Sequence, residues 1–338
     1  MLSAEQFKTN LQKIKGKTIA VVYTFEEDNS KGFHHFFIWK SKILSKWMNA
    51  IQDLNCLPFI IDVRTFVDKA MNHTLPHIDY VLNMNTGIYD LSVMALVPSV
   101  CSALEIPCIP CNAVTIVTGE NKRLSNLIAS GVGIQIPKEL DLGDCNGIYR
   151  PVNLGNSMGV IRNANICDGD GIYQEFIQGY DITTPIAYNG MTQQMELLPT
   201  VLYLPDSFDP EWFNGENIKQ TRKGYKFAIA SVDKKTEEAY LKLVQALSIQ
   251  TFCRIDARVR SSDDIFYKEK IPKLTFENVF FVEINVMPTI REDNNFDYAF
   301  HSIDSSSTLY PCIDAEREIL GDVDLHRFLL SNSMLSFV

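Results

Sequence analysis

The sequence contains no uninterrupted apolar run that approaches the ~20 residues needed to cross a bilayer, and its longest apolar segments are strand-sized. Positive charge is in deficit. Against 41 Asp and Glu stand 31 Lys and Arg, a formal charge of -10, which argues against DNA, RNA or an anionic membrane as the main partner. The cysteines, Cys56, Cys101, Cys108, Cys111, Cys145, Cys167, Cys253 and Cys312, are scattered through apolar contexts and form no disulfide framework. Cys108 and Cys111 make a CxxC, but no second pair or nearby His cluster completes a zinc set. Internal repeats and low-complexity segments are absent. Met1 to Lys15 is polar, with Phe7, Leu11 and Ile14 at helical spacing, and lacks the apolar core of a secretory signal. The expectation is a cytoplasmic enzyme or binding protein.

What is present is 338 residues at 46% hydrophobic content, enough for two or three tightly associated domains. The first third alternates strand and helix signals. Strands are predicted at Thr18 to Tyr23, Leu57 to Asp62, Tyr80 to Met84 and Ile106 to Ile109. Helices are predicted around Ile43, Trp47, Ile51 and Leu54 and from Leu91 to Leu104, so residues 1–112 read as a small parallel α/β domain. A short amphipathic helix follows, with Leu124, Leu127 and Ile128 on one side and Gly131 placed to end it. From Gly147 the pattern changes to short strands broken by Gly and Asn, a second layer of antiparallel sheet. Later come a helix at Thr236 to Leu247 and strands at Cys253 to Val259 and Phe280 to Val286, while Phe208 to Lys226 reads as a long loop.

The two late strands carry the chemistry. Alternation places Arg254, Asp256 and Arg258 on one face of the first, and Glu283 and Asn285 on one face of the second. If the strands are neighbours, Asp256, Glu283 and Asn285 converge as hard oxygen ligands suited to Mg²⁺. The competing reading is a pair of half-exposed strands with polar outer faces. Arg150 runs into a loop containing Gly155, Ser157 and Gly159, which can cover phosphates or simply turn a hairpin. Tyr173 to Thr183 passes through Gly179 with Asp181 just beyond it, an apolar wall and a carboxylate of the kind that a nucleoside needs.

The order of these pieces is the informative feature: Gly-Glu-Asn-Lys122, Arg150-Pro with Gly-Asn-Ser-Met-Gly159, Gln-Glu-Phe-Ile-Gln-Gly-Tyr-Asp181, Arg-Ile-Asp256, and Glu-Ile-Asn285 with Pro288. Over roughly residues 16–290 it resembles the D-alanine-D-alanine ligase branch of the ATP-grasp enzymes. The resemblance implies an ATP-grasp fold, mixing α/β and α+β, with a small N-terminal parallel α/β domain (1–112), a central lid subdomain (113–180) and a C-terminal catalytic subdomain (181–338). It further implies that ATP is bound by Lys122, Arg150 and Ser157 at the phosphates, Glu175, Phe176 and Ile177 at the adenine and Asp181 at the ribose. Two Mg²⁺ ions, or Mn²⁺ in their place, would sit on Asp256, Glu283 and Asn285. Arg254 would stabilise a tetrahedral intermediate, and Lys219 would be the lysine of a mobile loop that completes the site. The implied reaction joins a small-molecule carboxylate to an amine through an acyl phosphate; a homodimer is left open, and the alternative is an ATP-binding regulatory or partner protein without catalysis.

The acceptor half departs from that pattern. Val22 to Asp28 lacks the Gly-Gly turn and Ser-x-Glu segment, so neither Glu26 nor Glu27 takes the amino-binding role by match, and Asn83 to Asp90 has no histidine. Arg150 and Gln174 replace a lysine and a glutamate, and Pro288-Thr-Ile-Arg-Glu-Asp293 replaces Pro-Gly-Met-Thr, removing a glycine and adding Arg291.

Overall fold

A computed structural model describes residues 1–24, 41–87, 90–165, 169–268 and 271–338; the expectations attached to Glu26 and Glu27 lie outside them. The chain opens on helix α1 (Ala4–Lys13), started by a reciprocal capping box between Ser3 and Gln6. Strand β1 (Thr18–Tyr23) is an apolar run buried on both faces, as a central parallel strand must be. Helix α2 (Ser41–Asp53), β2 (Leu57–Asp62), α3 (Val63–Met71) and β3 (Tyr80–Met84) follow, then α4 (Leu91–Met94), α5 (Leu96–Ala103) and β4 (Cys108–Ile109). The strands form a parallel sheet in the order β2-β1-β3-β4. Helix α3 was not anticipated; Asp62 starts it by accepting from the Arg64 and Thr65 amides. The stretch predicted as one helix from Leu91 is instead interrupted at Ala95.

Helix α6 (Ala113–Glu120) and helix α7 (Lys122–Gly131) are separated only by Asn121, whose extended backbone breaks the helix and whose side chain caps the second one. Two details of α7 differ from the sequence reading. Its stop is Gly133, at φ 90, with the Ile134 and Gly133 amides closing on Ala129 and Ser130 carbonyls; Gly131 is the last helical residue. Its buried face is also the polar one, Lys122, Ser125, Asn126 and Ala129, leaving Leu127 69% and Leu124 38% exposed. Helix α7 turns this face inward because Lys122 has a carbonyl to reach there, that of Leu154 at 2.6 Å, and Asn126 bonds back to the Lys122 carbonyl at 2.6 Å.

Among the described residues, two further sheets form. The smaller holds β5 (Gly147–Pro151), β6 (Ile161–Arg162) and β7 (Gly171–Glu175), antiparallel in the order β6-β5-β7. The larger is built from β8 (Gly179–Asn189), β9 (Gln194–Leu197), β10 (Thr200–Pro205), β11 (Tyr225–Val232), β12 (Phe252–Arg260), β13 (Lys273–Leu274) and β14 (Val279–Asn285). Its order is β13-β11-β10-β8-β12-β14, with β9 beside β8 and only the β11–β13 pair parallel. Helix α8 (Glu216–Thr221) lies inside the stretch read as a loop, and α9 (Lys234–Ala246), capped by Asp233, covers the large sheet.

The chain ends on α10 (Asn295–His301), α11 (Tyr310–Leu320) and α12 (Leu325–Leu335). These helices return to the first sheet. One apolar core includes Phe7, Ile19 and Trp47 together with Phe252, Phe296, Phe328 and Leu330. Gly190 permits the contact: a Cβ there would lie 2.8 Å from Leu335 and 2.9 Å from Phe7. Among the described residues, no helix is long and apolar enough to cross a membrane.

Candidate functional site

The two strands singled out in the sequence are paired. In the antiparallel β12–β14 register Arg254 faces Asn285 and Asp256 faces Glu283, with a bulge between Asp256 and Ala257. Their polar faces form the floor of a cavity of about 1140 Å³ between the large sheet, the small antiparallel sheet and the start of α7. Asp256 is held on several sides. Arg254 grips it with two bonds, Nε to Oδ1 at 2.9 Å and an Nη to Oδ2 at 2.7 Å, while Thr183 donates to Oδ1 at 2.6 Å and Asn285 Nδ2 to Oδ2 at 2.9 Å. Burial opposes charge on Arg254, but Asp256 holds the guanidinium firmly protonated.

Glu283 is the centre of the charge pattern. Burial alone would raise its carboxyl, yet Lys122, Lys219, Arg150 and Arg254 together hold it down at about 2. Lys122 Nζ is 3.2 Å from Glu283 Oε2. Buried Arg150 donates to the Val282 carbonyl at 2.7 Å and to Gln174 Oε1 at 2.5 Å, so the glutamine seen in the sequence is its neutral partner; burial lowers this guanidinium to about 10. Lys219, from α8, reaches across to donate to Ser157 Oγ at 2.8 Å, and Ser157 itself donates to the Asn214 carbonyl at 3.1 Å. Asn156 and Ser157 both have positive φ, which makes the glycine-containing stretch a tight, specific turn. Desolvation lowers the Lys219 ammonium.

Residues Gln174 to Ile177 and Asp181 to Thr183 also line the cavity. Gly179 turns the chain between them: at φ 132 a Cβ would lie 2.1 Å from the Val259 carbonyl oxygen. Phe176 is buried, with Arg162 3.6 Å and Arg258 4.5 Å from its ring centre. Glu175 accepts from Arg260 at 2.6 Å. Asp181 accepts from Arg258 at 2.5 Å and from the Asn214 amide at 2.6 Å, and Arg258 also donates to the Ile177 carbonyl at 2.5 Å. Thus every residue named from the sequence borders one cavity or packs directly behind it.

Sequence reasoning gave no role to several residues found here. Arg258 ties together Ile177, Gly179 and Asp181; its signal was its place two residues beyond Asp256 on the same face. Glu120 stood unassigned beside Lys122, and it lines the cavity, where burial and Glu283 push its carboxyl up to about 7 against the opposing effect of Lys122. Arg222, the left-handed cap of α8, gave no signal at all.

Asp256, Glu283 and Asn285 present two carboxylates and an amide oxygen, a hard donor set that fits Mg²⁺. Neither Glu283 Oε1 nor Asn285 Oδ1 is engaged in a hydrogen bond among the described residues. Glu283 is already ionised, so binding a cation there needs no proton release.

No family model and no curated protein matches the sequence. Solved structures do match it. The VanG D-Ala:D-Ser ligase from Enterococcus faecalis superposes with a TM-score of 0.57 at 14% identity, covering 89% of this chain and 99% of that one. The D-alanine–D-alanine ligase from Bacillus anthracis complexed with ATP gives 0.56 at 14% identity, covering 90% and 97%. A second structure of the Bacillus anthracis ligase gives 0.54 at 15% identity, covering 90% and 97%. The small parallel sheet and the large mixed sheet correspond to those of these enzymes, and the chain therefore has the ATP-grasp fold of the D-Ala:D-Ala and D-Ala:D-Ser ligases.

Proposed function

We propose that the protein is an ATP-dependent ligase that joins a carboxylate to an amine through an acyl phosphate. The observation that carries this reading is Glu283, ionised among Lys122, Lys219, Arg150 and Arg254 and paired across the strands with Asp256. A cavity for a small apolar ligand has no use for such a cluster; a polyphosphate with its cation does.

In this reading Lys122, Arg150 and Lys219 bind the phosphates, and the Ser157 turn, joined to α8 by Lys219, covers them. Glu175, Phe176 and Ile177 border the adenine and Asp181 the ribose, with Arg258 fixing their positions. Asp256, Glu283 and Asn285 would hold Mg²⁺, which would supply neutralising charge at the phosphates. A carboxylate oxygen attacks the γ-phosphorus, forming a P–O bond as ADP leaves. The amine nitrogen then attacks the acyl carbon, forming the C–N bond as the acyl C–O bond to the phosphate breaks, and inorganic phosphate departs with the proton that the amine gives up. Arg254 lies where negative charge develops on the carbonyl oxygen, and its two bonds to Asp256 keep the planar guanidinium oriented.

The division into N-terminal (1–112), lid (113–180) and catalytic (181–338) parts belongs to the same proposal, as does a cytoplasmic setting. D-alanyl-D-alanine is not the expected main product, because the Ser-x-Glu segment and the histidine of the ligase pattern are both missing at the matching positions of this sequence. The test is a screen for ADP release over amino acids, short peptides and other carboxylates and amines, with mass analysis of products and a Mg²⁺ titration. Turnover that needs both a carboxylate and an amine supports the ligase; nucleotide binding without turnover for any pair returns the protein to the binding class.

A further inference from the structure

Beyond the phosphate-facing cations, the cavity contains two more guanidiniums, those of Arg222 and Arg291. The other cations of the cavity have visible partners: Lys122 has Glu283, Arg254 has Asp256, Arg258 has Asp181, and Lys42 and Lys46 both have Glu292. Arg150 is bonded to Gln174 and Lys219 to Ser157. Among the described residues, neither Arg222 nor Arg291 has an ion-pair or side-chain hydrogen-bond partner, and Arg291 Nε is a buried donor with nothing to donate to. An unpaired buried donor costs on the order of 1–3 kcal/mol, more when charged, so such a group calls for an explanation.

The surroundings make the arrangement less favourable still. Arg291 is depressed first by burial and then by Arg222, and Arg254 repels it as well. Tyr225 stands beside both arginines, and Tyr203 is also near Arg291. Of the nearby carboxylates, Asp256 is committed to Arg254 and Glu292 to the two lysines, while Glu216 and Asp293 line the cavity without an ion pair among the described residues. Two guanidiniums without an ion-pair partner therefore face the same cavity near Arg254. They are also supplied by separate elements, Arg222 by the cap of α8 and Arg291 by the segment after β14.

We infer that Arg222 and Arg291 form a subsite for the dianionic, non-reacting end of one substrate, a phosphomonoester. This rests on the ligase reading and adds the substrate class to it. Two guanidiniums on different elements match two negative charges, and a single carboxylate would leave one of them uncompensated. Because Arg222 belongs to the same short helix as Lys219, engagement of the dianion would also hold α8 against the Ser157 turn.

Calorimetric titration of the full chain tests this, with and without a non-hydrolysable ATP analogue and Mg²⁺. The probes are alanine, aspartate, glutamate and O-phosphoserine, in both enantiomers. O-Phosphoserine is expected to bind at least about tenfold more tightly than alanine, with aspartate and glutamate between them. Arg291→Gln and Arg222→Gln should each abolish that advantage, Arg291→Lys should restore part of it, and ATP-analogue affinity should stay within about twofold. Because Arg222 is exposed, its variant is readable even if Arg291→Gln folds poorly. A preference for phosphoserine over both dicarboxylates is expected, and the reverse overturns the two-charge match. Equal affinity for alanine and the dianions, or an advantage that survives both Gln substitutions, overturns the subsite. Loss of analogue binding alone would remove the ligase reading while leaving the nucleotide-free titrations to decide the anion question.

Discussion

Glu283 on the cavity floor and Glu316 between the last helices are both enclosed carboxylates, and they shift in opposite directions. Glu283 is held down at about 2 by cations on β5, α7, α8 and β12. Glu316 is pushed up to about 7, because burial outweighs Ser331 and its single cationic neighbour, Arg327, whose Nε is 3.7 Å away. Arg327 spends its other donors on the carbonyls of Leu320, Gly321 and Asp322. The scaffold thus buries a carboxyl with minimal compensation, whereas the cavity assembles charge well beyond what folding requires. That excess marks the working part of the molecule.

The comparison breaks most visibly at Glu283. Glu283→Gln should lower ADP release by on the order of a hundredfold or more and raise the Mg²⁺ concentration needed for half-maximal rate, since it removes the carboxylate that all the neighbouring cations share. Normal turnover at limiting Mg²⁺ would remove Glu283 from the metal role. Arg254→Lys keeps a charge but loses the two-bond grip on Asp256. Turnover should fall about a hundredfold with nucleotide-dependent thermal stabilisation nearly unchanged. If excess Mg²⁺ restored the rate, Arg254 would be an organiser of Asp256 and not a stabiliser of the acyl centre.

The two carboxylates should also leave opposite marks on the pH dependence of stability. A folded-state value raised from 4.5 to about 7 means that the native state holds its proton more tightly, so the Glu316 contribution is complete below about 4.5 and declines as pH rises to about 7. Glu283, lowered from 4.5 to about 2, contributes above about 4.5 and is lost as pH falls towards 2. In urea unfolding, Glu316→Gln should flatten the decline between pH 4.5 and 7, on the order of 2 kcal/mol in the wild type. An unchanged slope would show that Arg327 keeps Glu316 ionised. The smallest effect is expected at Leu127, 69% exposed on α7: Leu127→Lys should change stability by less than about 0.5 kcal/mol, whereas a core leucine would cost several times more.

Leu127 also shows where sequence reading runs out. Apolar spacing located α7 correctly but chose the wrong face, because the inward side is fixed by Lys122 reaching the Leu154 carbonyl, a contact 32 residues away that periodicity does not encode. The polar faces of β12 and β14 were legible, since alternation is local and its polar positions bore Arg254, Asp256, Glu283 and Asn285, whereas the pairing of the two strands stood only as a condition. The order of the motifs pointed to the fold that the superpositions display. Arg222 and Glu120 were not legible: one depends on the left-handed end of a helix hidden in an apparent loop, the other on the break at Asn121 that turns α6 and α7 toward the cavity. Return of α11 and α12 to the first domain was equally invisible, as it rests on contacts such as that of His326 on α12 with Trp47 on α2.

The central claim is that a carboxylate is activated by phosphorylation in this cavity. Its most direct test follows a heavy-oxygen label in the carboxylate of the best substrate from the ADP-release screen, by mass analysis of the inorganic phosphate after single turnover. The expected result is one labelled oxygen transferred to each phosphate, with amide formed in equal amount. Unlabelled phosphate released at the same rate as ADP would mean that water, and not a carboxylate, receives the phosphoryl group, and would contradict the account.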